Sequence, residues 1–266
     1  TAAVVDVVRI RRVVDGHHVG ARRRVGLSAV NDATPGACGR LPTTKGARLT
    51  LVVLGLCVLA TALMYVRGGR TSLGVVIAGA LTILFVHGFS LRMASWHFQR
   101  YELAELWAGR RYRMVFFDHR GHGESDPAPT ETCTIAQLAD DAAAVIRATV
   151  PVGPVVLVGH SMGSFLARIV AARRGREMTA LVLLGTGASA GPLAKVARGA
   201  ATSQIVMAGE DSASRVMETL IFGSMNLRFR PVRTRFDWLS RQASEVDAYC
   251  NDPLCGFTAS VGLYRE

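Results

Sequence analysis

The residues best placed to do chemistry are Gly159-His160-Ser161-Met162-Gly163. A serine hydroxyl becomes a useful nucleophile when it stands clear of the backbone and a base takes its proton. The apolar run VVLV at 155–158 precedes the pentapeptide, and a helix-like run from Phe165 to Ala172 follows it. The spacing predicts a strand, a sharp turn with Ser161 at its apex, and a helix. Gly159 and Gly163 suit positions where a side chain would strike the neighbouring strand or helix. The plainer alternative, a serine that merely caps a helix, accounts less well for strand and helix together. A second motif, His87-Gly88-Phe89-Ser90, follows the apolar run LTILFV at 81–86. A carbonyl under attack becomes an oxyanion and needs two preorganised N–H donors. The Met162 amide, at a helix N-terminus, is one; the Phe89 amide is the other, with Gly88 letting the backbone come close. His87 then braces its loop rather than serving as the base, and His160 is read as packing. The nine residues 118–126, DHRGHGESD, hold two histidines among carboxylates. They read as a tightly turned loop with internal hydrogen bonds and ion pairs, since the spacing offers no helical pair of metal ligands.

These residues need a frame. Runs at 81–86, 113–117, 155–158 and 179–184 are apolar and rich in β-branched residues, as expected for strands covered on both faces. Helical spacing occupies 95–108, 134–148 and 161–173 between them. Alternating strands and helices imply an α/β fold with a parallel sheet and right-handed crossovers. All three motifs fall at the carboxyl ends of predicted strands, where such sheets bind ligands. After Gly185 the alternation stops, and 190–266 reads as helices and loops. The expected organisation is a basic, poorly ordered extension at 1–48, an apolar segment at 49–70, the α/β core at 71–189 and a helical region at 190–266. No leading β-hairpin is evident before Leu81.

The net charge of +11 is unevenly placed. Residues 1–70 carry 11 basic and 3 acidic side chains, a net of +8, which leaves +3 for the other 196 residues. The basic character belongs to the N-terminal part, and no groove-reading motif accompanies it, so a nucleic-acid partner is not expected. Of the 31 basic residues only Lys45 and Lys195 are lysines, a bias usual in GC-rich genomes and the basis for expecting a bacterial source. The five cysteines are odd in number and scattered, unlike a disulfide framework, and are expected as free thiols. Residues 49–66, which open on Leu49 and close on Val66, are 18 residues without a charge. As a helix they would reach about 27 Å, close to a hydrocarbon core. They read either as a membrane anchor or as a buried helix or strand pair, and location as either cytoplasmic or membrane-associated.

Together these motifs resemble the α/β-hydrolases. His87-Gly88-Phe89, the loop from Asp118 to Ser125, the Gly159–Gly163 pentapeptide and their order carry the resemblance across 81–187. The stretches TRFDWLSR at 234–241 and DPLCGF at 252–257 are similar to the cap of bacterial monoacylglycerol lipases or lysophospholipase-like esterases. The resemblance implies a mostly parallel sheet with helices on both faces and a helical cap. It implies Ser161 as nucleophile, Phe89 and Met162 as oxyanion hole, and His87, Gly88, Gly159 and Gly163 in support. It implies neither metal nor cofactor, and a small ester or lipid as substrate. One departure stands out. In this fold the triad runs Ser, then Asp or Glu, then His along the chain, yet all seven histidines (His17, His18, His87, His97, His119, His122, His160) lie before Ser161. Asp237, Asp247 and Asp252 fall in the cap and none is singled out as the acid. The expectation is therefore an ester hydrolase whose final strands, with acid and base, lie beyond Glu266. The rival readings are an inactive protein of the same fold that lacks the base, and an amide or peptide hydrolase.

Overall fold

The computed structural model describes residues 4–12, 25–30, 81–107, 112–150, 153–187 and 191–265. Six strands form one sheet in the order β2-β1-β4-β3-β5-β6. They are β1 Val4–Arg12, β2 Val25–Val30, β3 Leu81–Val86, β4 Tyr112–Asp118, β5 Val155–His160 and β6 Ala180–Leu184. All neighbours are parallel except β1 and β2. Helices α1 His97–Leu106, α2 Ile135–Thr149 and α3 Met162–Arg174 connect the parallel strands. Among the described residues four more follow β6: α4 Pro192–Ala208, α5 Arg215–Phe222, α6 Ala243–Asn251 and α7 Val261–Arg265.

Side-chain alternation along the strands builds two cores. Leu84, Val86, Val115, Phe117 and Leu157 point to the face covered by α2 and α3, where they meet Leu138, Val145 and Leu166. The intervening residues Ile83, Phe85, Met114, Phe116, Val156 and Val158 face the other way, against Trp96 and Leu103 of the α1 side. Successive strand residues must alternate in this manner, and a strand covered on both faces is apolar at every position. Helix α2 starts where the Thr134 hydroxyl accepts the Gln137 amide at 3.1 Å, and its apolar stripe turns inward.

The core strands and helices lie where the sequence predicts them. The N-terminal part differs. The stretch expected to be a poorly ordered extension contributes two strands, paired antiparallel from Val7↔Val30 to Arg12↔Val25, with β1 alongside β4. The reason is visible in VVDVVRIRR: β-branched residues dominate, and the arginines obscured the pattern. This pair is the hairpin that the sequence did not reveal. The apolar segment 49–66 lies outside the described residues, and no helix among those described is long and apolar enough to cross a membrane.

The order β4-β3-β5 places a switch point in the sheet. The chain leaves β3 to one side to form β4, then crosses back over β3 to form β5. Loops that leave adjacent strands in opposite directions open a crevice at their carboxyl ends. Val86, the last residue of β3, pairs with Gly159 near the end of β5. Fold topology thus brings the His87–Ser90 loop beside Ser161.

Candidate active site

Ser161 sits between β5 and α3 with φ 52° and ψ −122°. Only Ser90 shares a positive φ among the described residues that are not glycine. Such a backbone is strained for a residue with a Cβ, and the neighbourhood fixes it on all sides. The Ser161 amide donates to the Leu184 carbonyl of β6 at 2.9 Å. Its carbonyl accepts the Ser164 amide at 2.8 Å and the Ser164 hydroxyl at 2.6 Å. The two glycines are sterically required. A methyl group on Gly163 would lie 2.2 Å from the Val86 carbonyl oxygen, and one on Gly159 would lie 2.5 Å from the Gly163 oxygen. Helix α3 therefore packs directly on the β3 backbone. A methyl on Gly88 would lie 3.1 Å from the Ser161 Cβ, so the β3 loop and the serine turn are in contact. Met162 begins α3, where the amide has no carbonyl partner within the helix.

Three histidines around this turn hold backbone groups, although His119 Nδ1 and His122 Nε2 are buried without a partner among the described residues. His87 is fully buried; its Nδ1 donates to the Gly88 carbonyl at 2.8 Å, and its Nε2 accepts the His119 amide at 3.3 Å. Both nitrogens are thus used in holding the loop. His119 Nε2 donates to the His87 carbonyl at 3.1 Å, and His122 Nδ1 to the Arg120 carbonyl at 3.1 Å. The His87 and His119 rings lie 4.2 Å apart. Burial lowers all three, joined at His87 and His119 by repulsion from the neighbouring rings: His87 falls well below its ordinary pKa, His119 to about 3, and His122 is lowered by burial. His160 is less enclosed, packs edge-on against Trp96 with centroids 6.1 Å apart, and has its pKa lowered by burial.

Asp118 organises the 118–126 loop. Its carboxylate accepts the Met93 amide at 2.6 Å and the Glu124 amide at 2.9 Å, and its carbonyl accepts the Ser125 hydroxyl at 2.8 Å. Gly123, at φ 52°, lies so near that an added methyl would meet the Asp118 carboxyl at 2.2 Å. Burial raises the Asp118 pKa, and the two backbone donors partly oppose that rise. Arg120 forms a two-pronged ion pair with buried Asp141 at 2.5 Å, tying the loop to α2. The acids of the cap are also engaged: Asp237 accepts the Thr234 amide and hydroxyl, Asp247 pairs with Arg233, and Asp252 lies 2.6 Å from Arg92.

Above Ser161 lies a cavity of about 660 Å³. A cluster of aromatic rings forms part of its wall: Phe89 from the β3 loop meets Phe257 at 5.4 Å and Tyr264 at 6.2 Å, and Phe222 stacks on Trp238 at 5.9 Å. Ser161 and Phe89, both singled out by sequence, line the same space; Tyr249, Tyr264, Glu218 and Arg235 line it too and were not foreseen. Arg235 lies in the 234–241 stretch that the sequence marks as cap-like, whereas Tyr249, Tyr264 and Glu218 stand on cap helices with no local motif, and only the tertiary fold collects them.

A family model described as serine aminopeptidase, S33, matches residues 80–266. The chain belongs to this family. In it the parallel sheet, the serine turn and the helices after β6 are those of an α/β-hydrolase. Mouse monoglyceride lipase is 29% identical over 164 residues, covering 59% of this chain and 48% of the relative. The human monoglyceride lipase is 30% identical over 166 residues, with the same two shares. The chain thus spans about half the length of these curated relatives. A proline iminopeptidase of Pestalotiopsis fici is 37% identical over 82 residues, 30% of this chain and 28% of that protein. Among solved structures, a thermostable carboxyl esterase from Bacillus coagulans matches with a TM-score of 0.57 at 23% identity, covering 70% of this chain and 62% of that one. At that identity the likeness speaks for the fold.

Proposed function

We propose that this S33-family chain is built for serine ester hydrolysis, with Ser161 as nucleophile and the Phe89 and Met162 amides as oxyanion donors. The observation that carries the reading is the strained backbone of Ser161 at the floor of a cavity walled in part by aromatic rings. Strain of this kind persists where the surroundings impose it, and it lifts the hydroxyl toward a bound carbonyl. Attack forms a bond from Ser161 Oγ to the acyl carbon and releases the alcohol; water then attacks the ester and releases the acid. The Ser161 proton must pass to a base. His87 has both ring nitrogens engaged with backbone, His119 and His122 are turned to the His87 and Arg120 carbonyls, and the base is not assigned in this reading. The substrate class follows from the wall. Phe89, Phe222, Trp238 and Phe257 offer an apolar surface for an acyl chain, which favours a monoacylglycerol or lysophospholipid over a polar peptide. The identity to monoglyceride lipases supports the same choice.

The amide alternative draws on the family description and on the iminopeptidase relative. Peptide ends would call for an unpaired charge in the cavity. Glu218, the cavity's carboxylate, is held by Arg235 at 3.3 Å and by the Thr258 hydroxyl at 2.9 Å, while Arg215 lines the cavity without an ion pair among the described residues, so the ester reading rests on the apolar wall and not on the charges. The test is labelling with an alkyl fluorophosphonate followed by peptide mass mapping. The expected adduct is on Ser161 and is lost in Ser161→Ala. Absence of an adduct, or one on another residue, rejects Ser161 as an activated nucleophile.

A further inference from the structure

We propose that Tyr249, on cap helix α6, is a positioning residue that latches the β3 loop and so fixes the Phe89 amide over Ser161. The proposal rests on the reading of Phe89 as an oxyanion donor. Its basis is a set of contacts across 159 residues of sequence. The Tyr249 hydroxyl donates to the Ser90 carbonyl at 3.2 Å. Its single proton is then used, so the 2.8 Å contact with Ser90 Oγ must be one in which Ser90 donates to Tyr249. The same Ser90 carbonyl accepts the Gly256 amide at 3.1 Å. Ser90 stands at φ 51°, a conformation a serine does not hold unaided, and it directly follows Phe89. Two cap groups therefore clamp a strained residue next to the amide that matters.

Neighbouring contacts act in the same sense. Arg92 lies 2.6 Å from Asp252, and His97 Nε2 lies 3.5 Å from Glu245 of α6. The Tyr249 ring is itself fixed edge-on against Phe236, with centroids 4.9 Å apart. On the core side the loop is held at Gly88 by His87 and at Met93 by Asp118. Ser90 lies midway between those two anchors, and its described hydrogen bonds run to the cap. Without the latch, the peptide carrying Phe89 would be free to relax from its strained setting. An oxyanion donor acts by being preorganised, so a small rotation would cost rate without emptying the substrate cavity.

The test compares wild type with Tyr249→Phe, which keeps the ring and removes the hydroxyl. Saturation kinetics of fluorophosphonate labelling separate the maximal rate from the binding constant and require no turnover. The expected result is a maximal rate about tenfold lower, as for loss of one or two hydrogen bonds, with the binding constant within about twofold. Ser90→Ala, which keeps the Tyr249-to-carbonyl bond, should lose about threefold. Hydrogen exchange of the peptide spanning 87–92 should quicken in Tyr249→Phe while β5 is unchanged. Faster exchange with an unchanged labelling rate overturns the link to the oxyanion donor. Unchanged exchange overturns the latch. A weaker binding constant at constant maximal rate makes Tyr249 a wall of the cavity and overturns the proposal. A wild-type chain that takes no label overturns the nucleophile reading and the catalytic half with it, and the exchange comparison then decides the latch alone.

Discussion

The two sides of the cavity are held by different physics. Below Ser161, backbone meets backbone: glycines let α3 touch β3, and the flanking cores are fully buried. Above it, the cap has a small core of Ala201, Met217 and Val261. Its helices expose Val206 at 82% and Met207 at 86%, and it is joined to the β3 loop by polar side-chain contacts and by the rings packed around Phe89. Close packing is unforgiving of a single added carbon, whereas solvent-facing helices and single hydrogen bonds tolerate change at small cost. The floor of the site is therefore rigid, and its roof is the part open to adjustment.

The largest expected effect comes from adding one carbon below the serine. In Gly163→Ala the new methyl would lie 2.2 Å from the Val86 oxygen and 2.5 Å from the His87 oxygen. Both atoms are backbone and cannot swing aside, so α3 must separate from β3. We expect a loss of more than about 4 kcal/mol, read as a collapse of the thermal transition or as insoluble protein. A variant that melts within a few degrees of wild type would show that the floor can yield, and the contrast between the two regions would fail.

A second effect sharpens the contrast through pH. His87, His119 and His122 remain neutral in the fold because burial lowers their pKa values. The unfolded chain takes up protons at these residues below about pH 6.5. Between that value and the depressed folded values the unfolded state binds more protons, so stability falls as pH falls. Each ring contributes up to about 2 kcal/mol of loss between pH 6.5 and 5. Asp118 acts in the opposite sense, but only in the range between its ordinary value near 3.8 and its raised folded value. Thermal melts from pH 7.5 to 5 should show a steady fall, with exchange quickening first in the segment 87–125. A flat profile would mean that these rings are not enclosed as described.

How much of this was legible in the sequence follows the same division. The floor was legible because backbone constraints leave marks on residue type: glycines at 159 and 163, β-branched runs for strands, and Gly88 where the β3 loop touches the serine turn. The roof was not. Tyr249 finds Ser90 only because the fold brings α6 over the β3 loop, and nothing near Tyr249 announces it. Trp238 and Phe257 lie in the two cap-like stretches of the sequence, but that they share one cavity with Phe222 appears only in the fold. The N-terminal strands were missed for another reason. Arg9, Arg11 and Arg12 broke an otherwise clear run of valines, and strand preference depends on the neighbour that β4 supplies.

The smallest effect reverses the sign of the largest with the same substitution. Gly199 lies within helix α4 on the exposed side of the cap, and nothing comes within 4 Å of a methyl placed there. Its φ is outside the left-handed region, so alanine fits without strain. Gly163 and Gly199 are both helical glycines, and intrinsic propensity alone would make alanine better at each by about 1 kcal/mol. At Gly199 nothing opposes that preference, and Gly199→Ala should stabilise by about 0.5–1 kcal/mol, a rise of a few degrees or less in the melting temperature. At Gly163 packing overrides it several-fold. Measuring both variants by the same melt tests whether local preference rules the cap and contact rules the core. Destabilisation by Gly199→Ala would mean that α4 is covered rather than exposed, and the open-roof side of the comparison would have to be redrawn.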